Sequence, residues 1–342
     1  MRPPAARRPP PAARRQAGPT TVCRHGWPEN QLTADCHGSY IAAMTQWRAL
    51  TASDLPALAA LTRSVLAADG GMPQSADEGF LRGRYLGGEA LGAFESGELV
   101  ASVAVRPVGP APGPGQPGIG LTGIVAQVAP AYRGRGLGRH LLEWGLARAP
   151  RPRVETESWT PAVDRLLTGY GLERTFGELV MTCPLTTGGA TLAPAATPLP
   201  DGIILEEWRP GNEADFFTAY DASFRDRPGF PGWSSGEWID WISGDEDDFR
   251  ADWALLARDA EGAPAGFCVA SPDHAIGQAG VVPAWRRRGL GRALLTESAN
   301  RMRAEGATSV LLMVATNNPG ATALYESLGY VETGQRARYE RG

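Results

Sequence analysis

The stretch "RRRGLGRALL" at 286–295 has a near copy, "RGRGLGRHLL", at 133–142. Each copy follows an apolar run ending in proline, "IVAQVAP" before the first and "QAGVVP" before the second. A chain that writes one turn twice, in one context, is built from two copies of a structural unit. The flanking elements agree with this. In the first copy "TQWRALTASDLPALAALTRSVL" predicts a short strand, an Asp cap and an amphipathic helix, and "LGAFESGELVASVAV" a hairpin. A strand over 119–128, the glycine turn and a helix over 138–149 follow. Strand "RVETES", helix "TPAVDRLLTGYG" and strand "ELVMTCPL" close the unit.

After the linker-like "TTGGATLAPAATPLPDG" the order begins again. "IILEEWRPGNEADFFTAYDASF" matches the first strand and helix, with Trp208-Arg209 set against Trp47-Arg48, and "WALLARDAEGAPAGFCVA" matches the hairpin. Then come the strand "QAGVVP", a helix to about 304, the strand "SVLLMVAT" and the helix "PGATALYESLGY". Hairpins combined with strand–helix–strand crossovers predict an α/β fold with a mixed, mostly antiparallel sheet flanked by helices. The expected layout is a tail over 1–43, units over 44–184 and 203–342, and a linker over 185–202.

Composition narrows the chemistry. All 33 basic residues are arginine, and without lysine the chain has neither a P-loop phosphate site nor a pyridoxal-phosphate Schiff base. Cys23, Cys36, Cys183 and Cys268 form no CxxC, and His25, His37, His140 and His274 show no ligand spacing, so no metal is expected. No apolar run reaches the roughly 18 residues of a membrane span. The cysteines fit a reduced, cytoplasmic protein. The tail "MRPPAARRPPPAARRQAGPTTVCRHGWP" holds arginine and proline without acids and is expected to be disordered. Beyond it the balance is more acidic than the whole-chain net charge of −4, which disfavours nucleic acid and favours a small cationic partner.

The glycine turn is an anion site in outline. Gly289 and Gly291 let the backbone approach a ligand, and the unpaired amides that open the next helix point at it. Arg286, Arg287, Arg288 and Arg292 supply charge-assisted contacts to phosphate oxygens. The spacing is not the dinucleotide GxGxxG, and no acidic residue stands about 20 positions on.

Arg-x-x-Gly-x-Gly after a strand and a proline resembles the acyl-CoA loop of the GCN5-related N-acetyltransferases (GNAT). "VATNNPGATALYESLGY" resembles that family's second signature, Asn-x-x-Ala-x-x-Leu-Tyr followed by Gly-Tyr/Phe. The tandem arrangement is similar to mycothiol synthase-like two-domain acetyltransferases. The resemblance implies two tandem GNAT-type domains and acetyl-CoA as co-substrate. It implies that Ala279, Gly280 and Val281 bind the pantetheine and thioester carbonyl through their backbone. By the same resemblance Arg286, Arg287, Arg288, Gly289, Leu290, Gly291 and Arg292 hold the pyrophosphate. Asn318 then touches the cofactor arm, and Tyr325 lies near the sulfur as general acid. In the first copy Arg133, Gly136 and Gly138 are kept, while Thr160 stands at the Asn318 position and Leu167 at the Tyr325 position.

The expected activity is therefore acetyl transfer to a primary amine of a small molecule in the second unit, by direct attack, in a monomer or homodimer. A non-catalytic acyl-CoA sensor, acetylation of a cysteinyl amino sugar, and a protein-acetylating or partner-binding module are the alternatives. Asp273 and His274 are candidates for the general base. Trp233, Trp238, Trp241 and Trp253 with Asp245, Glu246, Asp247 and Asp248 read either as an acceptor wall or as core tryptophans beside a solvated loop.

Overall fold

The structure is a computed structural model that describes residues 45–108, 120–185, 197–227, 230, 232–244 and 249–341. The expectations for the tail, for most of the linker and for Asp245 to Asp248 fall outside these residues.

The first repeat runs β1 (Gln46–Ala49), α1 (Leu55–Asp69), α2 (Glu78–Tyr85), β2 (Glu89–Glu95), β3 (Glu98–Val108), β4 (Leu121–Val128), α3 (Leu137–Leu146), β5 (Pro152–Thr156), α4 (Pro161–Gly169) and β6 (Glu173–Pro184). The second runs β7 (Ile204–Glu207), α5 (Glu213–Phe224), α6 (Ser235–Ser243), β8 (Leu255–Arg258), β9 (Pro264–Ser271), β10 (Ala275–Val281), α7 (Leu290–Ala304), β11 (Ser309–Ala315), α8 (Pro319–Glu326) and β12 (Val331–Glu340). Element for element, the two halves match.

Local chemistry explains most boundaries. Asn212 and Asp54 precede α5 and α1, and Ser234 opens α6 with a reciprocal bond to Glu237. Helix α3 stops at Leu146, short of the predicted 149, because Arg148 and Ala149 close tight turns onto Gly145 and Leu146 before Pro150. The proposed pairing of Trp208-Arg209 with Trp47-Arg48 is overturned. Trp47 lies inside β1, whereas Trp208 follows β7 and donates its N–H to Ala254 as Leu50 donates to Ala90. Trp208 is therefore the counterpart of Leu50, and Leu205 that of Trp47.

Among the described residues twelve strands join one sheet in the order β1-β2-β3-β4-β5-β12-β6-β11-β10-β9-β8-β7. Of these pairs β4·β5 and β10·β11 are parallel and the others antiparallel. The two repeats exchange strands at the centre: β12 lies between β5 and β6, and β6 lies between β12 and β11. Helices α1 and α2 cover Phe94, Ala104 and Val125 on one face, and α5 and α6 cover Leu256, Phe267 and Val269. On the other face α7 and α8 cover Cys268, Val310, Leu312 and Met181, the last of these supplied by β6 of the first repeat.

The exchanged strands carry charge into the middle of the sheet. Glu155, only 8% exposed, binds Arg84 and Arg106, the latter at 2.7 Å, with Arg338 at 4.0 Å. Glu157 binds Arg84 at 3.0 Å and Arg336 at 2.9 Å, and Arg153 binds Glu340 at 2.7 Å. Burial pulls the Arg106 and Arg338 guanidinium groups below their usual range, and the nearby carboxylates offset part of that cost. Such a cluster tolerates no missing member, because the charges left behind stay desolvated. Glu155→Gln is expected to cost about 3 kcal/mol of folding stability, read as a lower midpoint in urea denaturation.

Candidate active site

The parallel pair β10·β11 is short. Ala275 and Ile276 stand opposite Leu311 and Leu312, and beyond this point the strands diverge. From Gln278 to Val281 the strand β10 ladders onto β9 on one side only. Its other edge faces the gap with backbone amides and carbonyls in strand geometry, which an amide-bearing arm can join as an added strand. Ala279, Gly280 and Val281 occupy this edge. Gly280 leaves no room for a side chain, since a Cβ there would lie 2.7 Å from Ser223 Cβ and 2.8 Å from the Phe267 ring.

The glycine turn lies just past the open end of β10. Gly289 is left-handed (φ 89°) and starts α7. The N–H of Ala293 is the first to bond back, to Gly289 at 3.0 Å, so the amides of Leu290, Gly291 and Arg292 lie outside the helical ladder. The Leu290 side chain is core, leaving only its amide to a ligand. Arg286 turns inward, bonding the Val281 carbonyl at 3.1 Å and the Ser223 carbonyl at 3.1 Å, and thus ties the turn to β10 and α5. Arg292 bonds Ser327 at 2.6 Å, while exposed Arg287 and Arg288 face solvent, Arg288 over the Trp285 ring. Asn318 caps α8 by accepting from Ala321 N–H at 3.3 Å, so its carbonyl oxygen is committed to the helix.

A cleft of about 810 Å³ opens on the α5/α6 side of the gap. Ala279, Asn318 and Tyr325 line it together, whereas Gly280, Val281 and the turn from 286 to 292 stand outside its walls. Tyr325 is half-buried beside Tyr330, with ring centroids 5.8 Å apart. Burial pushes its phenol up to about 12, with the neighbouring Cys268 thiol adding and Arg227 subtracting.

The cleft also gathers residues that repeat-by-repeat reading had no means to find. Glu178 comes from β6 of the first repeat, opposite Ala315 of β11 and Arg336 of β12. Burial raises its carboxyl above the usual range, and its nearest guanidinium is Arg336 at 3.6 Å. Arg227, Phe230 and Trp233 follow α5, and Arg174 and Arg338 stand on β6 and β12. The signal available was the alternation of charged and apolar residues in "ERTFGELV" and "QRARYE", but nothing local said which half they serve.

Two expectations change. Asp273 and His274 form the turn at the closed end of β10, with His274 against the Trp253 ring, and neither lines the cleft. At about 3.3 Å per residue His274 is several residues from the open end, so the general-base assignment to this pair is dropped. Of the four tryptophans only Trp233 reaches the cleft. Trp238 and Trp253 are core residues at 0% and 2% exposure, and Trp241 packs on Trp233 outside the lining. Among the described residues that line the cleft arginines outnumber carboxylates, while Asp245 to Asp248, on which the acidic reading rests, lie outside the described residues.

The first half repeats the geometry with other side chains. Gly136 is left-handed (φ 85°), and the Arg133 Nε bonds Val128 as Arg286 bonds Val281. The Arg133 fork is closed on Asp69 at 2.6 and 2.8 Å. Thr160 caps α4 as Asn318 caps α8, and Leu167 is buried where Tyr325 stands in the second half. The cavity there measures about 290 Å³ and is lined mainly by apolar residues, with Arg133 and Gly138 at one end. Among the described residues no cluster of His, Cys, Asp and Glu could hold a metal, and no helix is long and apolar enough to cross a membrane.

The profile of the acetyltransferase (GNAT) family matches residues 63–166 and 213–330. A mycothiol acetyltransferase of Thermobispora bispora is 30% identical over 315 residues, covering 85% of this chain and 97% of that protein. The mycothiol acetyltransferase of Salinispora tropica is 32% identical over 238 residues, 65% of this chain and 73% of that one. The crystal structure of a GCN5-related N-acetyltransferase from Sphaerobacter thermophilus superposes with a TM-score of 0.68 at 27% identity, over 86% of this chain and 95% of that one. A tandem GNAT protein from the clavulanic acid biosynthesis pathway shares the fold, with a TM-score of 0.56 at 16% identity, over 87% and 99%.

The turn itself yields a test. Arg287 adopts a left-handed backbone (φ 62°) where the first half has Gly134 (φ 76°). A non-glycine residue there carries strain of about 1–2 kcal/mol. Arg287→Gly is expected to raise stability by about 1 kcal/mol, seen as a higher urea midpoint, although it removes an exposed cation.

Proposed function

The chain belongs to the acetyltransferase (GNAT) family, and we propose that it moves an acetyl group from acetyl-CoA to a primary amine of a small molecule, with the second half as the working site. The observation that carries this reading is Tyr325. It lines an open cleft at the divergence of β10 and β11, whereas its counterpart Leu167 has no proton to give.

In this reading the unladdered edge at Ala279 to Val281 aligns the pantetheine amides and the thioester carbonyl. The free amides at the start of α7, with Arg287 and Arg288, take the pyrophosphate. Acetyl-CoA supplies an activated acyl carbon held in the gap. The amine nitrogen forms the C–N bond and gives up one proton, the C–S bond breaks, and the sulfur leaves with the electron pair. Positioning supplies much of the rate.

Tyr325 meets that sulfur as an O–H donor at any physiological pH, because its pKa is held near 12. Full proton transfer to a thiolate of pKa about 8.5 is uphill from such a phenol. Its contribution is therefore mainly a hydrogen bond to developing negative charge.

Thiol release from acetyl-CoA with panels of primary amines tests the activity. Tyr325→Phe is expected to lower kcat about 10²-fold while leaving acetyl-CoA affinity unchanged, and an unchanged kcat removes the donor role. Gly291→Asp places a carboxylate at the turn with room for its Cβ, whose nearest neighbours Leu324 and Val281 are 3.5 Å away. It should weaken acetyl-CoA binding at least tenfold, about 1.4 kcal/mol, by calorimetry. Gly138→Asp should leave turnover intact, and the reverse result would assign the working site to the first half.

A further inference from the structure

The cleft presents both signs of charge, Glu178 and Glu340 with Arg174, Arg227 and Arg338, and a simple cationic amine meets only the carboxylates. Resting on the acetyl-transfer reading above, we propose that the acceptor is an amino carboxylic acid with an apolar side chain. Its carboxylate is taken by Arg227 and its amine is turned toward Glu178 and the gap between β10 and β11.

Arg227 sits in the turn that ends α5, fixed by its own backbone. Its N–H donates to Phe224 at 2.9 Å and its carbonyl accepts from Phe230 N–H at 3.1 Å. The guanidinium lies over the Phe224 ring, 5.0 Å from the centroid, so one face rests on an aromatic and the edge of the fork is left for a ligand. Among the described residues no carboxylate pairs with it. Of the other cleft arginines, Arg338 is engaged over Phe176 at 5.2 Å and beside Glu155 at 4.0 Å. Arg174, like Arg227, stacks on one ring, Trp159 at 5.4 Å, but stands on β6, whereas Arg227 stands on the segment that carries the aromatic wall. Although Arg227 is solvent-facing, its charge acts on Glu178, Tyr325 and Tyr220, opposing at each the effect of burial.

A bare ammonium ion would be repelled from that place. A zwitterion fits, because its negative end meets the Arg227 fork in the bidentate geometry a guanidinium offers a carboxylate. Its positive end then points inward to Glu178, the carboxylate contributed by β6. Glu178 is only loosely held by Arg336 at 3.6 Å, so it has acceptor capacity to spare, and it is placed to receive the proton the ammonium loses before its nitrogen can attack. The second proton, released as the C–N bond forms, ends on the departing sulfur as the thiol. Tyr220, Phe224, Phe230 and Trp233 line the same cleft and form an aromatic wall that suits an apolar side chain.

The experiment compares acceptors that differ only in the carboxylate. The full chain is assayed by thiol release from acetyl-CoA with L-phenylalanine, L-phenylalaninamide and 2-phenylethylamine, and with L-leucine against 3-methylbutylamine. The amino acids are expected to show kcat/KM at least tenfold above their neutral-ended partners. Arg227→Met should raise KM for L-phenylalanine at least tenfold, erase its advantage over the amide, and leave KM for acetyl-CoA and the melting temperature unchanged. Glu178→Gln should lower kcat/KM for L-phenylalanine tenfold or more at constant acetyl-CoA KM. Equal or better turnover of the amide and amines, or an advantage that survives Arg227→Met, overturns the carboxylate assignment while acetyl transfer stands. Bound acetyl-CoA with no turnover of any probe overturns acetyl transfer to such amines, and this inference with it.

Discussion

Everything in this molecule depends on the contact between β6 and β12. Each repeat sends its last strand across to the other, so that Val331 to Glu340 ladders onto β5 and β6 while β6 ladders onto β11. Without this exchange each half would end in an open sheet edge at its parallel pair, where the gap for a cofactor arm lies. Exchange closes both edges with one central antiparallel pair. The price is charge at the sheet centre, since the same strands carry Arg336, Arg338, Glu178 and Glu340, and the cluster around Glu155 and Glu157 balances them.

That arrangement explains why the second-half cleft is composite. Its floor is Glu178 and Gly177 of β6, and the Thr316 N–H that ends β11 donates to the Gly177 carbonyl at 2.9 Å. A side chain of the first repeat thus lines the cleft of the second. Duplication alone would give two independent clefts. Duplication with strand exchange lets one half shape the cleft of the other.

Much of the fold was legible in the sequence, and for identifiable reasons. Local signals were strong where glycine conformation and helix capping set the chain path, as at Gly136, Gly289, Thr160 and Asn318. The glycine turns, the parallel pairs and the decay of Tyr325 to Leu167 could all be read from residues. Strand β12 could not, because "VETGQRARYE" is too charged to look like a central strand. Its register also shifts at the Glu332–Gly334 bulge and again at Arg338–Tyr339, blurring the alternation. Glu178 and Arg227 escaped for a related reason: their neighbours are set by tertiary pairing, and Glu178 meets Ala315 only through long-range pairing. The Trp208 alignment failed because two identical residues outweighed the backbone, where Leu50 is the true equivalent.

The first half shows what the same scaffold becomes when its acceptor side is filled. After α1 the chain passes through Gly70 and Gly71, the latter donating to the Thr333 carbonyl of β12 at 3.3 Å, and Met72 donates to the Glu157 carbonyl past β5 at 3.0 Å. A Cβ on Gly70 would lie 1.9 Å from Thr333 O, and one on Gly71 2.2 Å from Glu157 O, so the chain packs backbone to backbone against β12 and the end of β5. The corresponding segment after α5 instead stands off as Arg227, Phe230 and Trp233 and leaves a cleft. The two halves thus differ at two places, Leu167 against Tyr325 and the close backbone packing at Gly70 and Gly71 against the open segment after α5. The Glu155–Arg84–Glu157 cluster lines the first-half cavity and is at the same time the electrostatic anchor of the central strands. In this chain the wall of one repeat's cavity holds together the sheet that the other repeat's cleft is cut from.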